Sequence, residues 1–537
     1  MSQGALHLPI VPSASSRSDG LSEAIRAATS HEIVFAVVGH AGAGTSWVAK
    51  VIAEGLGSFQ YKPLVIKMSD LIASAVEKID PARGKVIQNA AAGSIERTSA
   101  LQAAGNWLRA QHGITFTAAL AIKRLFDERK RDKKDGDRTA YILDSLKNPY
   151  EVDALRQLYG RSLYVISVVC GPELRESRLL TKYKGATTEQ IKALMQRDEA
   201  EEADTGQHVR KTLKNGDFFV NNEENVTTKE SRPLDHATRR FLQIVFTSDV
   251  VRPTADERGM YAAWGASLRS ACLSRQVGAA ILDASGQLIA TGTNDVPKFG
   301  GGLYEEDETG GGVDFRCFRY FDGAKGEKTG FCRNDKVKAE ILSQAVEELR
   351  AAGVLREGAA TKTIAAALRK TPLNDLLEFS RAVHAEMDAV VSLARSGSTS
   401  TEGGTLYCTT YPCHPCARHI VAAGIRDVVY IEPYLKSRAA TLHDDAIMES
   451  TQRPGDDASK VHFRLFTGVA PRRYAPLFEK REELKKDGDL SLREEQNALH
   501  IDPIFTRSHL EFEQLIAKHV DEVTEGAQPR ATEDTSA

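Results

Sequence analysis

The sequence is poor in cysteine and has no long hydrophobic run. Seven cysteines in 537 residues are too few for the disulfide framework of a small secreted protein. Residues 1–9 lack the basic and apolar regions of a secretory signal, and the longest apolar run, residues 33–38, is far too short to span a bilayer. We therefore expect reduced thiols, a cytoplasmic location and no membrane partner.

The sequence also lacks a strong excess of either charge. The formal net charge is −3, so no overall basic balance indicates a nucleic-acid partner, although this does not exclude a local basic groove. The chain of 537 residues is longer than most single domains, which predicts two or three of them.

A metal-ligand pattern is present in the second half of the chain. His384 and Glu386 form an H-x-E motif, and Cys413 and Cys416 form a C-x-x-C motif preceded by Pro412. This is the order found in zinc-dependent deaminases. A catalytic zinc takes three N and S ligands in a tetrahedral arrangement and keeps its fourth position open for water. We predict that His384, Cys413 and Cys416 hold one zinc ion, with both thiolates in the first turn of a helix.

Glu386 lies two residues beyond the predicted histidine ligand and is not needed to bind the metal. In this chemistry a carboxylate takes a proton from the zinc-bound water, and hydroxide attacks C4 of a cytosine ring. The same carboxylate then delivers protons to ring N3 and to the leaving ammonia, and we predict this role for Glu386. A structural zinc half-site or a redox pair would also fit the C-x-x-C motif alone, but three elements in the right order favour the catalytic interpretation.

A glycine-rich segment near the amino terminus predicts a second functional site. An apolar strand over residues 32–38 runs into this segment, and an apolar helix follows over 47–56. The arrangement matches the phosphate-binding pattern G-x-x-x-x-G-K-[ST], except that Thr45 stands in the lysine position. The alternative is a turn that only closes a strand-to-helix corner. The predicted phosphate-binding residues are Gly39, Gly42, Gly44, Thr45 and Ser46.

Downstream segments predict a nucleotide-kinase-like domain with three α/β layers. Asp144 ends a short apolar strand, where a magnesium-orienting carboxylate would lie, although a simple strand-end Asp fits equally well. The helical stretch over 173–202 resembles the lid of nucleoside monophosphate kinases, with a solvated helix face as the alternative. The interpretation predicts a nucleotide with Mg²⁺ in this domain. The basic residues that could replace the missing loop lysine are Lys62, Lys67, Arg175 and Arg178.

A predicted β-hairpin precedes the zinc motif. Two strands flank a turn at residues 283–286, and they carry the patterns Arg-x-Val-Gly-Ala, from Arg275, and Gly-x-Asn-x-x-Pro, around Asn294. These patterns resemble the deoxycytidylate deaminases. The resemblance implies that Asn294 lies near the nucleotide sugar, and Arg275 is predicted to bind substrate. Asp295 stands where that family usually has glycine.

With both halves considered, the chain resembles the bacterial anti-phage dCTP deaminases. The resemblance implies an α/β protein with an N-terminal P-loop kinase-like three-layer domain and a C-terminal cytidine-deaminase-like three-layer domain. It implies zinc-dependent hydrolytic deamination of dCTP, and of dCMP, to the uracil nucleotides and ammonia. Depletion of deoxycytidine nucleotides would then starve phage replication. Some relatives are inhibited by a small RNA, and the family suggests a homo-oligomer.

The domain boundaries follow from these motifs and from composition. The predicted segments are a flexible lead (1–20), the P-loop domain (21–225), a linker and helix (226–250), the deaminase domain (251–475) with an insertion (298–380), and an extension with a disordered tail (476–537). Cys317 and Cys332 in the insertion are either ligands of a second zinc or isolated buried thiols. Candidate phosphate contacts are Arg269, Arg275, Arg316, Arg319, Arg333 and Arg381.

Two other functions fit parts of the sequence. A deaminase acting on polynucleotide would use the same zinc motif, but the Gly-x-Asn-x-x-Pro hairpin and the absence of an overall basic balance favour a free nucleotide. A nucleotide-binding regulator, with ATP hydrolysis or partner binding as its main output, fits the glycine-rich segment. Thr45 in the lysine position argues against strong hydrolysis.

Overall fold

The structure of the protein is a computed structural model. It describes residues 29–131, 138–201, 203–223, 233–306, 315–318, 320–322, 328–356, 358–371, 379–397, 399–434, 437–450, 459–480, 484–500, 502 and 504–525. The predicted lead (1–20) and residues 526–537 of the predicted tail lie outside these ranges.

The strands of the described residues are β1 (Thr29–Ser30), β2 (Ile33–Gly39), β3 (Lys62–Lys67), β4 (Thr139–Leu146), β5 (Leu163–Val169), β6 (Phe218–Asn221), β7 (Gly278–Leu282), β8 (Leu288–Thr293), β9 (Tyr320–Asp322), β10 (Lys328–Gly330), β11 (Thr405–Thr410), β12 (Asp427–Glu432), β13 (Ile447–Glu449), β14 (Val461–Leu465), β15 (Gly468–Val469), β16 (Lys485–Lys486), β17 (Asp489–Leu490) and β18 (Ile504–Phe505).

The α-helices of the same residues are α1 (Thr45–Leu56), α2 (Met68–Ile79), α3 (Pro81–Asn89), α4 (Ile95–His112), α5 (Phe116–Arg131), α6 (Pro149–Tyr159), α7 (Pro172–Lys182), α8 (Thr188–Glu199), α9 (Val209–Leu213), α10 (Pro233–Phe246), α11 (Ala255–Ser267), α12 (Arg333–Ala351), α13 (Thr361–Leu368), α14 (Ala385–Ser396), α15 (His414–Ala422), α16 (Ala439–Leu442), α17 (Pro471–Phe478) and α18 (Thr506–Glu525). Short 3₁₀ helices cover Gly57–Phe59, Gly160–Ser162 and Glu495–Asn497.

The first sheet positions the glycine-rich segment. Its strand order is β15-β6-β5-β2-β4-β3, and β2 pairs in parallel with β4 and β5. All residues of β2 are buried, which is why its sequence is continuously apolar and does not alternate. The chain passes from β2 to β3 on one side, whereas β5 lies on the other side of β2. Ligands of open α/β sheets bind at such a switch point, outside the carboxyl ends of the strands, and residues 39–46 lie at that end of β2.

The second sheet positions the H-x-E and C-x-x-C motifs. Its order is β13-β14-β12-β11-β7-β8, with β11, β12, β14 and β13 parallel and β7 antiparallel to both neighbours. Two glycines of the hairpin permit close contact with helices. A Cβ at Gly292 would lie 2.1 Å from the Ala385 carbonyl oxygen, and one at Gly278 would lie 1.9 Å from the Ala263 carbonyl oxygen. Glycine at both positions therefore lets β8 lie directly against the start of α14 and β7 against α11.

The two sheets are connected by a strand pair and by buried charges. Residues after β14 continue into β15, which pairs antiparallel with β6 at the edge of the first sheet. The rings of Phe219 and Phe466 pack there in a T-shaped contact with centroids 5.7 Å apart. The fully buried carboxylate of Asp217 lies 3.2 Å from Arg472 Nε and 3.4 Å from Arg473 Nε. The chain therefore crosses from the second sheet back to the first before α17.

The mixed α/β class is confirmed, and two helices outside the predicted P-loop domain (21–225) pack against it. The helix assigned to a linker over 226–250 is α10, and its Phe241 and Phe246 are buried in the core of the first sheet. The predicted extension over 476–537 contains α18, which packs on α5, and Tyr159 donates a hydrogen bond to Glu513 at 2.7 Å. α10 thus completes the core of the first sheet, whereas Val520 of α18 is buried in a separate cluster with residues of α4 and α5.

Among the described residues, no helix is both long enough and apolar enough to cross a membrane.

Candidate active site

Two helix N-termini converge on the three predicted metal ligands. His384 immediately precedes α14, and Cys413 immediately precedes α15; both have extended backbone conformation, with φ of −79° and −71°. Cys416 follows in the first turn of α15. The first turn of a helix has unpaired N–H groups and the positive end of the helix dipole. A helix start of this kind favours the anionic form of a sulfur placed there.

The geometry of these side chains fits one tetrahedral zinc ion. His384 Nδ1 lies 3.1 Å from Cys413 Sγ and 3.3 Å from Cys416 Sγ, and the three ligand atoms lie within 4.8 Å of one another. Ligand atoms around a tetrahedral zinc, with bonds of about 2.0–2.3 Å, are roughly 3.5 Å apart. Among the described residues, this is the single group of three or more His, Cys, Asp or Glu side chains placed to hold a metal.

The ionisation of the cluster supports the same conclusion. A hydrogen bond from Cys416 lowers the pKa of Cys413 to about 4, and the same bond raises the pKa of Cys416. The hydrogen bond with Cys413 raises the pKa of His384 to about 9. Without metal, the cluster therefore pairs a thiolate with a protonated imidazole, and zinc binding would displace that proton, because zinc takes thiolate and neutral imidazole as ligands. His384, Cys413 and Cys416 can hold one zinc ion.

Glu386 lies beside the cluster without belonging to it. It is in the first turn of α14, it is 4% exposed, and its Oε2 is 3.6 Å from Cys416 Sγ. Burial, together with the negative charge of Cys413, raises the pKa of Glu386. A carboxyl group with a raised pKa can hold a proton and release it nearer to neutral pH. This is the position required of a proton carrier next to the metal.

Asn294 uses its side-chain amide to close the predicted hairpin. Its Oδ1 accepts a hydrogen bond from Val277 N at 2.7 Å, and its Nδ2 donates to the Arg275 carbonyl oxygen at 2.8 Å. An amide has two N–H donors and two acceptor lone pairs, so one of each is left for a ligand. The predicted contact with a nucleotide sugar stays a prediction.

Asp295 ties the end of the hairpin to the metal cluster. Its carboxylate accepts hydrogen bonds from Ala271 N at 3.1 Å and Val296 N at 2.8 Å. Its carbonyl oxygen accepts from Val383 N at 3.0 Å, directly before His384. The aspartate that replaces the family's usual glycine therefore has a structural role in this loop.

A cavity of about 320 Å³ opens onto the cluster. His384, Glu386, Cys413, Asn294 and Arg275 line it. The structure thus brings the predicted proton carrier, two of the metal ligands, Asn294 and Arg275 together at one cavity, and Cys416 completes the ligand cluster next to it. Its volume is within the range of about 300–1,000 Å³ for small-molecule sites.

The predicted phosphate-contact arginines differ in their placement. Arg275 lines the cavity, its guanidinium lies 5.4 Å from the centre of the Tyr434 ring, and its NH2 is 3.5 Å from Glu432 Oε1. Arg269 forms an ion pair with Glu305. Arg381 NH1 donates to the Arg316 carbonyl oxygen at 3.2 Å, and Arg333 begins α12. Arg319 lies outside the described residues.

Cys317 and Cys332 also line this cavity, together with Cys272, which the sequence analysis did not single out. The group of three metal-binding side chains found in the described part of the chain does not include them. The structure therefore gives no support there to a second zinc site. No local sequence pattern reveals whether a distant cysteine lines the same cavity as the metal ligands.

The glycine-rich segment has the expected local geometry. Gly42 and Gly44 have φ of +82° and +81°, a region that other residues rarely adopt, and Thr45 begins α1 directly after them. Ser46 Oγ donates to Asp144 Oδ2 at 2.5 Å. Asp144 lies within β4 and does not end it, which corrects the predicted strand end, but its carboxylate is beside the segment as predicted.

Two residues at this segment were missed by the sequence analysis. Lys147 Nζ donates to the Gly39 carbonyl oxygen at 2.9 Å and to Asp198 Oδ1 at 2.8 Å. The other carboxylate oxygen of Asp198 accepts from Ala41 N at 2.8 Å. Lys147 could have been found, because it follows a strand that we expected at the same sheet edge. Asp198 is 157 residues from Ala41 and carries no local signal.

Comparison with known proteins identifies the second half of the chain. Residues 253–432 match the family model for the cytidine and deoxycytidylate deaminase zinc-binding region. The deoxycytidylate deaminase of Enterobacteria phage T4 is 31% identical over 172 residues, which are 32% of this chain and 75% of that protein. The corresponding enzyme of phage T2 is 28% identical over 172 residues, or 32% and 77% of the two chains. The chain belongs to the cytidine and deoxycytidylate deaminase family.

Parts of the chain are also similar to solved structures. The structure of the dCMP deaminase of cyanophage S-TIM5, in complex with dCMP and dUMP, is 19% identical and covers 40% of this chain and 99% of that chain, with a TM-score of 0.22. The bifunctional deaminase and reductase of Thermotoga maritima is 15% identical, with coverage of 42% and 39% and a TM-score of 0.20.

Proposed function

We propose that the protein is a zinc-dependent hydrolytic deaminase of deoxycytidine nucleotides, which converts dCMP to dUMP and ammonia. One observation carries this proposal. Glu386 is buried against a His–Cys–Cys cluster at the base of a cavity large enough for a small molecule. Family membership and the activity named for the phage T4 and T2 relatives support it.

The proposed mechanism assigns a separate task to each group of residues. His384, Cys413 and Cys416 would hold zinc, which when bound lowers the pKa of water enough to provide hydroxide near neutral pH. Glu386 would accept one proton of the attacking water and deliver it to ring N3. It would then take the second proton from the hydroxyl group formed at C4 and deliver it to the amino group, which leaves as ammonia. Its burial keeps competing water away from the carboxylate and strengthens its interaction with the ring.

The substrate would enter the cavity with its phosphate towards Arg275. Arg275 lines the cavity with its guanidinium 5.4 Å from the centre of the Tyr434 ring. Its NH2 contacts Glu432, and a guanidinium has further N–H donors that can bind oxyanions. We propose that dCTP is also a substrate. An arginine that lines the cavity can bind the first phosphate group of a nucleotide whether or not further phosphates follow it. Asn294 would contact the sugar with its remaining N–H.

A deamination panel tests this proposal. Zinc-loaded protein is incubated with dCMP, dCTP, CTP and cytosine-containing single-stranded DNA, and ammonia and the uracil product are measured. We expect turnover of dCMP and dCTP. Turnover of single-stranded DNA with none of the free deoxynucleotides would contradict the proposal and favour the polynucleotide alternative.

We propose further that the glycine-rich segment binds a phosphate-bearing ligand, such as a nucleotide with Mg²⁺, and regulates the deaminase. Backbone N–H groups of such a segment and the start of α1 can bind phosphate, and Ser46 with Asp144 could orient the metal. Few contacts separate the glycine-rich segment from the second sheet. Asn222, directly after β6, donates from Nδ2 to the Ala43 carbonyl oxygen at 2.7 Å. β6 in turn pairs with β15, which follows the last strand of the second sheet.

Phosphoryl transfer is not part of this proposal, because Thr45 cannot supply the loop cation. Incubation of the wild-type protein with ATP and each deoxynucleoside monophosphate should give negligible transfer, and robust kinase turnover would overturn it. Division into a P-loop unit and a deaminase unit, the anti-phage role, inhibition by a small RNA, and homo-oligomer formation stay predictions. Phage plaque counts with and without an active deaminase, RNA co-purification and mass by light scattering would test the last three.

A further inference from the structure

We propose that the carboxylate of Asp198 is an internal anion that occupies the phosphate position of the glycine-rich segment, and that a polyphosphate ligand binds by displacing it from Lys147 and Ala41 and by engaging Arg175. This rests on the proposed phosphate binding by residues 39–46 and names what that binding must overcome.

The partners of Asp198 are those that normally hold a phosphate group. Asp198 is completely buried at the end of α8. Its Oδ2 accepts from Ala41 N at 2.8 Å and lies 3.5 Å from His40 Nδ1, while its Oδ1 accepts from Lys147 Nζ at 2.8 Å. Backbone N–H groups of a glycine-rich segment and a lysine ammonium are the usual donors to phosphate oxygens. Here the carboxylate of Asp198 takes the place of the phosphate oxygens.

Lys147 supplies the cation that the segment itself lacks. Its Nζ also donates to the Gly39 carbonyl oxygen at 2.9 Å, so the ammonium lies directly beside the start of the segment. Thr45 stands where a phosphate-binding segment normally has its lysine. Lys147 reaches the same sheet edge from the end of β4, and Asp198 neutralises it.

Arg175 is a buried cation with unused donors. Its relative exposure is 7%, and its Nε and NH1 have no hydrogen-bond partner among the described residues. Its backbone packs on Gly42, where a Cβ would lie 2.6 Å from the Arg175 carbonyl oxygen. Burial lowers the pKa of Arg175 despite the attraction of Asp198 and Glu199. Buried guanidinium N–H groups are rarely left unpaired, and this guanidinium acts electrostatically on both His40 and Asp198.

The charges favour a ligand with several negative charges. Lys147 donates to Asp198, and Arg175 is attracted by both Asp198 and Glu199, so each cation is balanced by carboxylates that carry one charge each. A monoanion would gain little by replacing a carboxylate that is already well bound. A triphosphate has more charge and more oxygens, and can satisfy Lys147, Arg175 and the Ala41 amide together. The inferred ligand class is therefore a nucleoside triphosphate or another polyphosphate.

Displacement of Asp198 would act on two helices, α7 and α8. Arg175 lies in α7 and Asp198 at the end of α8, and these two helices pack on each other. A ligand that draws Arg175 inward and releases Asp198 acts on both helices at once. The hydrogen bond from Ala41 to Asp198 then becomes the contact that holds the site closed without ligand.

Binding of inorganic tripolyphosphate to the full-length zinc-loaded protein tests the proposal. Isothermal titration calorimetry compares the wild type with Asp198→Asn, which keeps the shape but removes the charge, and with Glu189→Gln, which removes an exposed charge from the other end of the same helix. A Gly44→Val variant identifies the binding that belongs to residues 39–46, since the deaminase cavity could also bind polyphosphate. We expect Asp198→Asn to bind about tenfold more tightly than the wild type, and Glu189→Gln to bind as the wild type does.

A second variant tests the proposal even if Asp198→Asn does not fold. Arg175→Gln should weaken tripolyphosphate binding about tenfold or more with no loss of melting temperature, because its donors are unpaired without ligand. Loss of melting temperature with unchanged affinity would show a purely structural role and overturn the proposal. Zinc content by elemental analysis, which should stay at the wild-type value in every variant, is the control for the zinc site.

The outcomes separate this inference from the proposed function. If the wild type binds tripolyphosphate in the Gly44-dependent manner but Asp198→Asn binds no more tightly, Asp198 is not a competitor and this proposal alone fails. If neither the wild type nor Asp198→Asn shows Gly44-dependent binding, phosphate binding by the segment fails, and this inference fails with it.

Discussion

The carboxylate of Glu386 and the thiol of Cys416 meet at the base of the cavity, with Oε2 and Sγ 3.6 Å apart. The first belongs to α14 and the second to α15, so the contact depends on two helix N-termini that meet above the second sheet. This places a proton-carrying group next to the metal ligands without making it one of them. The predictions below test the separate tasks of ligands, proton carrier and substrate contacts.

Removal of one sulfur should lower zinc content and activity together. Cys413→Ser or Cys416→Ala removes a thiolate that provides much of the affinity for zinc. Elemental analysis of the purified variants, alongside dCMP turnover, measures both quantities. Cys170→Ser, which changes a buried thiol of the first sheet, is the matched control and should keep its zinc. Full zinc occupancy in Cys413→Ser would argue that the cluster is not the metal site.

Arg275 should affect substrate affinity more than the chemical step. Replacement of Arg275 by Gln removes a charge-assisted hydrogen bond worth about 1.5–3 kcal/mol, so KM for dCMP should rise about ten- to hundredfold with a smaller change in kcat. Arg269→Gln is the control, because Arg269 pairs with Glu305. Equal KM values for the two variants would remove Arg275 from the substrate site.

Gly44 should be essential to the regulatory site and dispensable for deamination. A Cβ at this position would lie 2.3 Å from Asn222 Nδ2, and the φ of +81° strains a β-branched residue. Gly44→Val should therefore change the response of dCMP turnover to added nucleotide while zinc content stays constant. Gly57→Val is the control, since a Cβ there meets no atom within 4 Å. An unaltered response in Gly44→Val would contradict regulation through residues 39–46.

Asp217 should stabilise the junction between the two sheets. Its buried carboxylate faces Arg156, Arg472 and Arg473, and burial already lowers the pKa of Arg472 to about 10. Asp217→Asn would leave these cations without their counter-charge, which costs about 3–5 kcal/mol in comparable buried pairs. Thermal unfolding measures the loss, and Asp235→Asn at an exposed position is the control. A melting temperature equal to that of the control would show that the junction does not depend on this charge.

The sequence predicted the zinc cluster well because its determinants are local. The spacing from His384 to Glu386, and from Cys413 to Cys416, together with the helix starts that follow, sets most of the geometry before any long-range packing is known. The hairpin around Asn294 and the strand leading to Gly39 were predicted for the same reason. Each of these features is marked by short local patterns, on which turn, strand and helix-start preferences act.

Contacts between distant segments could not be predicted in the same way. α10 looked like a linker helix because the residues before it are polar, yet Phe241 and Phe246 complete the first core. Likewise, the pairing of β15 with β6 and the burial of Glu513 beside Tyr159 depend on the assembled fold. Asp198 is the clearest case, because an aspartate at the end of a polar helix has the appearance of a solvated charge.

The most direct test of the account is the turnover and zinc content of the Glu386→Gln variant. Glu386 is buried beside the cluster but is not one of its ligands, so the variant should retain one zinc per chain. Loss of the proton carrier should lower dCMP turnover by at least about a hundredfold. Deamination close to the wild-type rate in the zinc-loaded variant would contradict the assignment of Glu386 and the mechanism built on it.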